Sequence, residues 1–253
     1  MTVNAEDVAF CVFLLFCRVG GCIILAPGLS SARIPMQIRL LVAIAIVLAV
    51  SPLLVGTVMT DVTVAISERR LSMILGESTI GIMIGLMGRL FLLGLQFAAN
   101  TISGTIGLAG IPGVALEEGD SGSPLATLTS SAAVMMILAL GLHIEMLKAI
   151  VESYAIVPVS AALDPGSMLE DFTRVLAETS ILAVRLAAPF IFYGITINIA
   201  LGLANRFVPQ ISFYHATTGL VMLVGFLLFH LLWTDWMMIF IGSYESWLRV
   251  GGF

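Results

Sequence analysis

Few residues in this chain could do chemistry, because only 11% of its 253 residues are charged. Arg18, Glu77, Arg89, His143, Glu145, Arg185 and Arg206 stand within or beside apolar stretches, with Asn100 and Asn198 as neutral polar companions. An ionisable side chain at the centre of a membrane helix costs about 2.5–3.5 kcal/mol on insertion scales, so each one needs a physical reason. A proton relay or an ion site would need carboxylates and histidines clustered on facing helices. Glu77 and Arg89 are too far apart to pair on one helix, and His143 and Glu145 point to different faces. The expectation is that each charged residue sits near a helix end, snorkels, or pairs with a neighbour or another subunit.

Other chemistries lack their residues. No HExxH, CxxC or paired-carboxylate spacing appears, and the three histidines lie far apart, so no metal and no cofactor are expected. Cys11, Cys17 and Cys22 share the first apolar run and read as small core residues. There is no G-x-S-x-G and no P-loop; no catalytic residue is assigned and no enzyme is expected. A net charge of -5 without a basic patch gives nucleic acid nothing to bind.

One stretch stands apart, Gly104 to Pro124, GTIGLAGIPGVALEEGDSGSP. It carries glycines at 104, 107, 110 and 113, a break at Ile111-Pro112-Gly113, and the acids Glu117, Glu118 and Asp120. Proline removes a backbone donor and each glycine costs a helix about 1 kcal/mol relative to alanine, so a loop is expected here. The uncharged runs Leu90–Leu116 and Ser121–Ile144 lie on either side of its acids. Two readings fit: a surface connection between membrane helices, or a loop at the mouth or throat of a conduit.

The elements that must position these residues are membrane helices. A chain that is 59% hydrophobic, with a mean hydropathy of +1.10, cannot cover a water-facing surface. A spanning helix needs about 20 apolar residues. Further uncharged runs of that order are Leu40–Thr60, Leu186–Asn205 and Phe207–Thr234, and Val8–Ala26 is interrupted only by Arg18. The acidic N-terminus MTVNAED is unlike a cleavable signal, so the first helix is expected to be retained. Helices are expected over Val8–Ala26, closed by Pro27-Gly28, and over Leu40–Ser51, with Pro52 near its end. The third runs from Leu71 to Ala99. The fourth runs from Leu125 through Glu145 to Val157, the fifth from about Phe172 to Phe207, and the last from about Tyr214 to Ile241. Asp164-Pro165-Gly166 reads as a turn. Gly81 and Gly85 form a GxxxG spacing that lets two helix backbones approach closely.

The segment Arg185–Tyr214, RLAAPFIFYGITINIALGLANRFVPQISFY, carries the strongest fingerprint. Asn198, Leu201-Gly202, Arg206 and Pro209-Gln210, in that order, resemble the flagellar biosynthetic protein FliR family. Arg18, Pro27, Ile34-Pro35, Arg39 and Pro52 match the family's opening. Glu77-Ser78, Ile80-Gly81, Gly85, Gly141-Leu142-His143, Ser153 and Pro158 also agree, so the resemblance covers nearly the whole chain as one domain, 1–253. It implies an all-α polytopic membrane protein of inclined helical hairpins, packed in a hetero-oligomeric gate. The implied role is a single-copy subunit of the flagellar type III export gate, in the bacterial inner membrane at the flagellar basal body. The implied partners are FliP-like, FliQ-like and FlhB-like subunits, unfolded export substrates and the lipid membrane.

The resemblance also implies that Gly110–Ser123 is a plug loop, with Gly110, Ile111, Pro112, Gly113, Glu117, Glu118, Asp120 and Pro124 as its residues. The family's usual Asp-Pro-Ala-Ser run is replaced here by LEEGDSGSP. Gly81, Gly85, Gly104, Gly107, Asn198, Gly202, Arg206, Pro209 and Gln210 are expected to pack helices or subunits together. The alternatives are a subunit of a virulence type III secretion apparatus, which shares the fold, and a self-sufficient small-solute transporter. The transporter would be built from two related halves, and the sequence contains no such halves.

Overall fold

Ala5–Leu25 forms the first helix, α1, an apolar run without internal proline. In the computed structural model, which describes residues 5–30, 34–64, 69–108, 123–159, 164–207 and 213–249, six further helices follow. They are α2 (Met36–Val64), α3 (Arg69–Thr105), α4 (Pro124–Ala139), α5 (Leu142–Ile156), α6 (Pro165–Phe207) and α7 (Phe213–Arg249). No strand occurs among the described residues. Helices α1, α2, α3, α6 and α7 are each long and apolar enough to cross a membrane, and α4 and α5, bent by 70° at a short break, are so only when taken together. The chain is an all-α polytopic membrane protein.

Several helix ends differ from the sequence expectation, each for a local reason. The sequence stops the second helix near Ser51, but α2 continues through Pro52. A helical proline frees the carbonyl four residues back, here that of Leu48. The Ser51 hydroxyl donates to that carbonyl at 3.1 Å and keeps the helix satisfied. Conversely, the single fourth helix is two. Gly141 takes φ +73, a left-handed conformation that ends α4, and α5 starts at the next residue. Asp164-Pro165-Gly166 is a helix start, not a turn. The Asp164 Oδ1 accepts from the Gly166 N–H at 3.0 Å, with proline at the first helical position. Helix α3 extends to Thr105, so Gly104 lies in its last turn. Helix α7 extends eight residues past Ile241 to Arg249, whose guanidinium pairs with Glu245 at 2.8 Å.

The chain divides into two compact units. Unit 1 comprises residues 1–91, 137–176 and 244–253. Within it α1 and α3 run parallel, since Asp7 meets Arg70, Arg18 meets Glu77, and Gly85 lies against Cys22. Helix α2 lies against α1 and buries one stripe: Ala43, Val47, Leu54, Val58 and Val62. Its other faces are apolar and exposed at Leu41, Leu48 and Leu53, as lipid or a protein partner requires. Helix α5 buries Leu142, Met146, Ala149, Ile150, Ser153 and Tyr154, a single helical stripe. The end of α7 closes the unit through Tyr244 and Trp247, whose rings lie 5.5 and 5.4 Å from Phe91.

Unit 2 comprises residues 92–136 and 177–243. Its α6 and α7 portions form an antiparallel pair. The Trp236 indole donates to the Leu186 carbonyl at 3.1 Å, Phe190 faces Phe229 at 6.1 Å, and the Tyr193 hydroxyl donates to the Val221 carbonyl at 2.6 Å. Phe229 also packs edge-on against Trp233 at 5.3 Å. The end of α3 enters this pair where glycines leave room. Gly94 lies against the Thr179 carbonyl, Gly194 against Thr105, and Gly225 against Ile106.

Candidate functional site

Arg18 is fully buried in the middle of α1, and it is the only arginine so placed among the described residues. Its guanidinium meets the Glu77 carboxylate of α3 in a two-point fork, Nε to Oε2 and Nη2 to Oε1, both at 2.7 Å. Nη1 donates to Ser153 Oγ at 2.9 Å and Nη2 to the Val157 carbonyl at 3.0 Å, both at the end of α5. The Tyr154 ring covers the guanidinium face, 3.8 Å from Cζ to centroid. Thus four donor contacts and one aromatic face satisfy a charge that a membrane helix could not otherwise hold.

The helices come close enough for this because of glycine. A Cβ at Gly81 would fall on the Arg18 carbonyl oxygen, and one at Gly85 would stand 2.5 Å from the Cys22 carbonyl oxygen. From the other side, a Cβ at Gly21 would lie 3.1 Å from the Ser78 carbonyl oxygen and the Ile82 nitrogen. So α1 and α3 are in backbone contact, and any side chain at Gly81 would push Arg18 away from Glu77. Arg18, Glu77, Gly81, Gly85 and Ser153, scattered in the sequence, meet here. Gly21 was missed by sequence reasoning, although its neighbour Gly20 makes a two-glycine gap in α1 a visible sign.

The second place of interest is the base of the Gly104–Pro124 stretch, in unit 2. Ile102 and Ile106 are fully buried, and Gly107 takes φ +83, a conformation that ends the helix. The Ser123 N–H donates to Asn100 Oδ1 at 2.8 Å, while Ser123 Oγ caps α4 by accepting from the Ala126 N–H at 3.2 Å. The exit of the segment is therefore tied to the helix that precedes it. Pro124 is exposed at the first position of α4. Among the described residues nothing lies within 4 Å of where a side chain would begin at Gly104 or Gly107. Gly110, Ile111, Pro112, Gly113, Glu117, Glu118 and Asp120 lie outside the described residues.

The third is the far part of the α6–α7 pair. Asn198, Gly202 and Arg206 are exposed on α6, and Gly202 has open space before it. Pro209 and Gln210 lie outside the described residues. Residues 195–207 of α6 and 217–224 of α7 bury no side chain. Of the other charged residues, His143 and Arg185 are exposed, and Glu145 pairs with Lys148 at 2.7 Å. Among the described residues no three His, Cys, Asp or Glu side chains converge as a metal site would require.

A family profile described as Bacterial export proteins, family 1, matches residues 9–246. Over 244 residues the chain is 31% identical to the Flagellar biosynthetic protein FliR of Caulobacter vibrioides, covering 92% of this chain and 96% of that one. The chain belongs to the FliR family. The proteins of the same name from Escherichia coli and Pectobacterium carotovorum are 26% and 25% identical to it. Those matches cover 82% and 92% of this chain and 78% and 88% of theirs.

Proposed function

We propose that this chain, by family a subunit of the flagellar protein-export apparatus, forms part of the conduit through which unfolded export substrates leave the cytoplasm. In this reading it is one export-gate domain in the bacterial inner membrane at the flagellar basal body. It assembles with FliP-like and FliQ-like subunits and meets an FlhB-like one. The family match across residues 9–246 carries the reading. The helices add support: α3, α6 and α7 have 37, 43 and 37 residues, far more than the roughly 20 that cross a bilayer, and much of their apolar surface is exposed. Such surface suits burial against other subunits. All the relatives named above are flagellar, which favours this over a virulence secretion apparatus.

The Gly104–Pro124 stretch is the closure element in this reading. Its base is tied by Asn100 and Ser123, and its sequence supplies glycines and the acids Glu117, Glu118 and Asp120. Gly104 and Gly107 leave open space that a partner backbone could fill. With the family's usual motif absent, closure rests on a glycine-rich segment packed with partner loops. Shortening Val114–Ser121 should raise ion conductance through the assembled complex in planar bilayers. Unchanged conductance in a shortened but fully assembled complex would rule out sealing by this loop. Gentle detergent purification with native mass measurement tests the class itself. One copy of this chain in a large complex is expected, whereas a self-sufficient transporter would purify alone and support solute flux in vesicles.

A further inference from the structure

We propose that Arg18 makes the docking of α5 conditional on the pairing of α1 with α3, an order of assembly built into unit 1. The inference rests on the geometry of the junction and not on the conduit reading. Arg18 and Glu77 each lie deep within an apolar helix, with 0% and 2% of their side chains exposed. Neither is tolerable there alone, since a buried charge stripped of its partner is strongly destabilising. The Glu77 fork uses Nε and one edge of Nη2. What remains of the guanidinium is three N–H groups, two on Nη1 and one on Nη2, and the end of α5 takes one from each nitrogen: Ser153 Oγ and the Val157 carbonyl.

These acceptors belong to a helix end that needs a donor. The last four carbonyls of a helix have no partner within it, and the end carries partial negative charge. Ser153 is set to accept, because its own proton goes to the Ile150 carbonyl at 2.6 Å. At its other end α5 begins after Gly141, with no side-chain cap. Beyond its apolar stripe and the Tyr244 hydroxyl on Met146 Sδ at 3.8 Å, the described residues hold α5 through Arg18, whose guanidinium the Tyr154 ring covers. The hydrogen bonds impose a sequence of events. Pairing with Glu77 neutralises Arg18 and fixes its orientation, and only then do Nη1 and the free edge of Nη2 point at the place where α5 docks. Glu77 makes no hydrogen bond to Ser153 or Val157 and reaches those two acceptors through Arg18, although its carboxylate also faces Tyr154 of α5 directly.

Hydrogen–deuterium exchange on the full-length protein in detergent tests this, read separately for peptides of α1, α3 and α5. In the double variant Arg18→Met/Glu77→Met, two apolar side chains replace the pair, and α1 and α3 keep their glycine contact. Protection of α1 and α3 should stay within about twofold of wild type, and protection near Val151–Val157 should fall at least tenfold. Ser153→Ala leaves the ion pair intact and should lower protection of the α5 end alone, by a smaller factor. The proposal is overturned if α5 in the double variant stays as protected as in wild type. It is equally overturned if the double variant cannot be recovered folded, or if its three helices lose protection together, because the pair would then hold all three at once. Loss of protection spreading into α1 and α3 in Ser153→Ala would overturn it independently.

Discussion

In unit 1 the closest helix contact surrounds a charge, and in unit 2 the helices meet through rings, glycines and neutral hydrogen bonds. Arg18 is held inside unit 1 by the buried Glu77 and Ser153 and by the part-buried Val157 carbonyl. In unit 2 the corresponding contacts are Trp236 to Leu186, Tyr193 to Val221 and Ile106 against Gly225. The polar residues of the family fingerprint in unit 2, Asn198 and Arg206, are on the surface. Arg18 and Glu77 have their needs met within the chain, whereas Asn198 and Arg206 offer donors and acceptors outward. This difference separates residues that hold the chain's own fold together from exposed residues that, on the proposed function, join it to partner subunits. A buried ion pair contributes little net stability, but removing one partner leaves an uncompensated buried charge. An exposed apolar hairpin arm with a few polar groups leaves its arrangement to be completed by contact.

The strongest way to break the contrast is to remove one charge. Glu77→Ala leaves Arg18 buried with two neutral acceptors, and the loss should be about 3–5 kcal/mol. Little folded protein should then survive in detergent, as measured by the thermal unfolding midpoint and by size-exclusion recovery. Arg206→Ala, in unit 2, should leave both measurements at their wild-type values. If Glu77→Ala melts like wild type, unit 1 is held by its apolar contacts and the contrast fails.

Glycine gives a second test, with opposite signs in the two units. Gly81→Ala puts a methyl group on the Arg18 carbonyl oxygen, and overpacking of this kind costs about 1–3 kcal/mol. Gly202 sits in a helix with no described residue within 4 Å of an added Cβ, so Gly202→Ala should stabilise the isolated chain by about 0.5–1 kcal/mol through its better helix propensity. On the proposed function, Gly202→Ala should nevertheless reduce co-purification of partner subunits. Co-purification at the wild-type level would remove Gly202 from the subunit contacts.

What could be read in the sequence follows from the range over which each signal acts. The all-α membrane class is legible because it depends on composition and on runs of about 20 residues. Gly81 and Gly85 are legible as a spacing, but their partner is not, since the GxxxG pattern does not say which helix fills the gap. The Arg18–Glu77 pair joins positions 59 residues apart, and two unmatched charges in separate apolar helices suggest a pair without identifying it. The helix ends at Ser51, Gly141 and Asp164 depend on single side-chain or φ choices. Ser51 overrides a proline, Gly141 breaks a run that is apolar on both sides, and Asp164 turns a turn sequence into a cap. The ring contacts of Trp233 and Trp236 leave no local pattern at all.

The smallest expected effect concerns the tie at the loop base. Asn100→Ala removes the acceptor of the Ser123 N–H, one neutral hydrogen bond near the surface, for which about 0.5–1.5 kcal/mol is the usual net contribution. Ile102 and Ile106 remain buried, so α3 should keep its place, and the unfolding midpoint should shift by no more than a few degrees. The change should show instead in hydrogen exchange at the start of α4, where Ser123 Oγ accepts from Ala126 and the Ser123 carbonyl from the Thr127 N–H. If the tie steadies the proposed closure element, the assembled complex should also conduct ions more often while melting as before. Faster exchange at α4 with unchanged conductance would assign Asn100 to capping alone. Unchanged exchange would mean that Ser123 holds the start of α4 without Asn100, and that the loop base is fixed by the packing of Ile106 against Gly225.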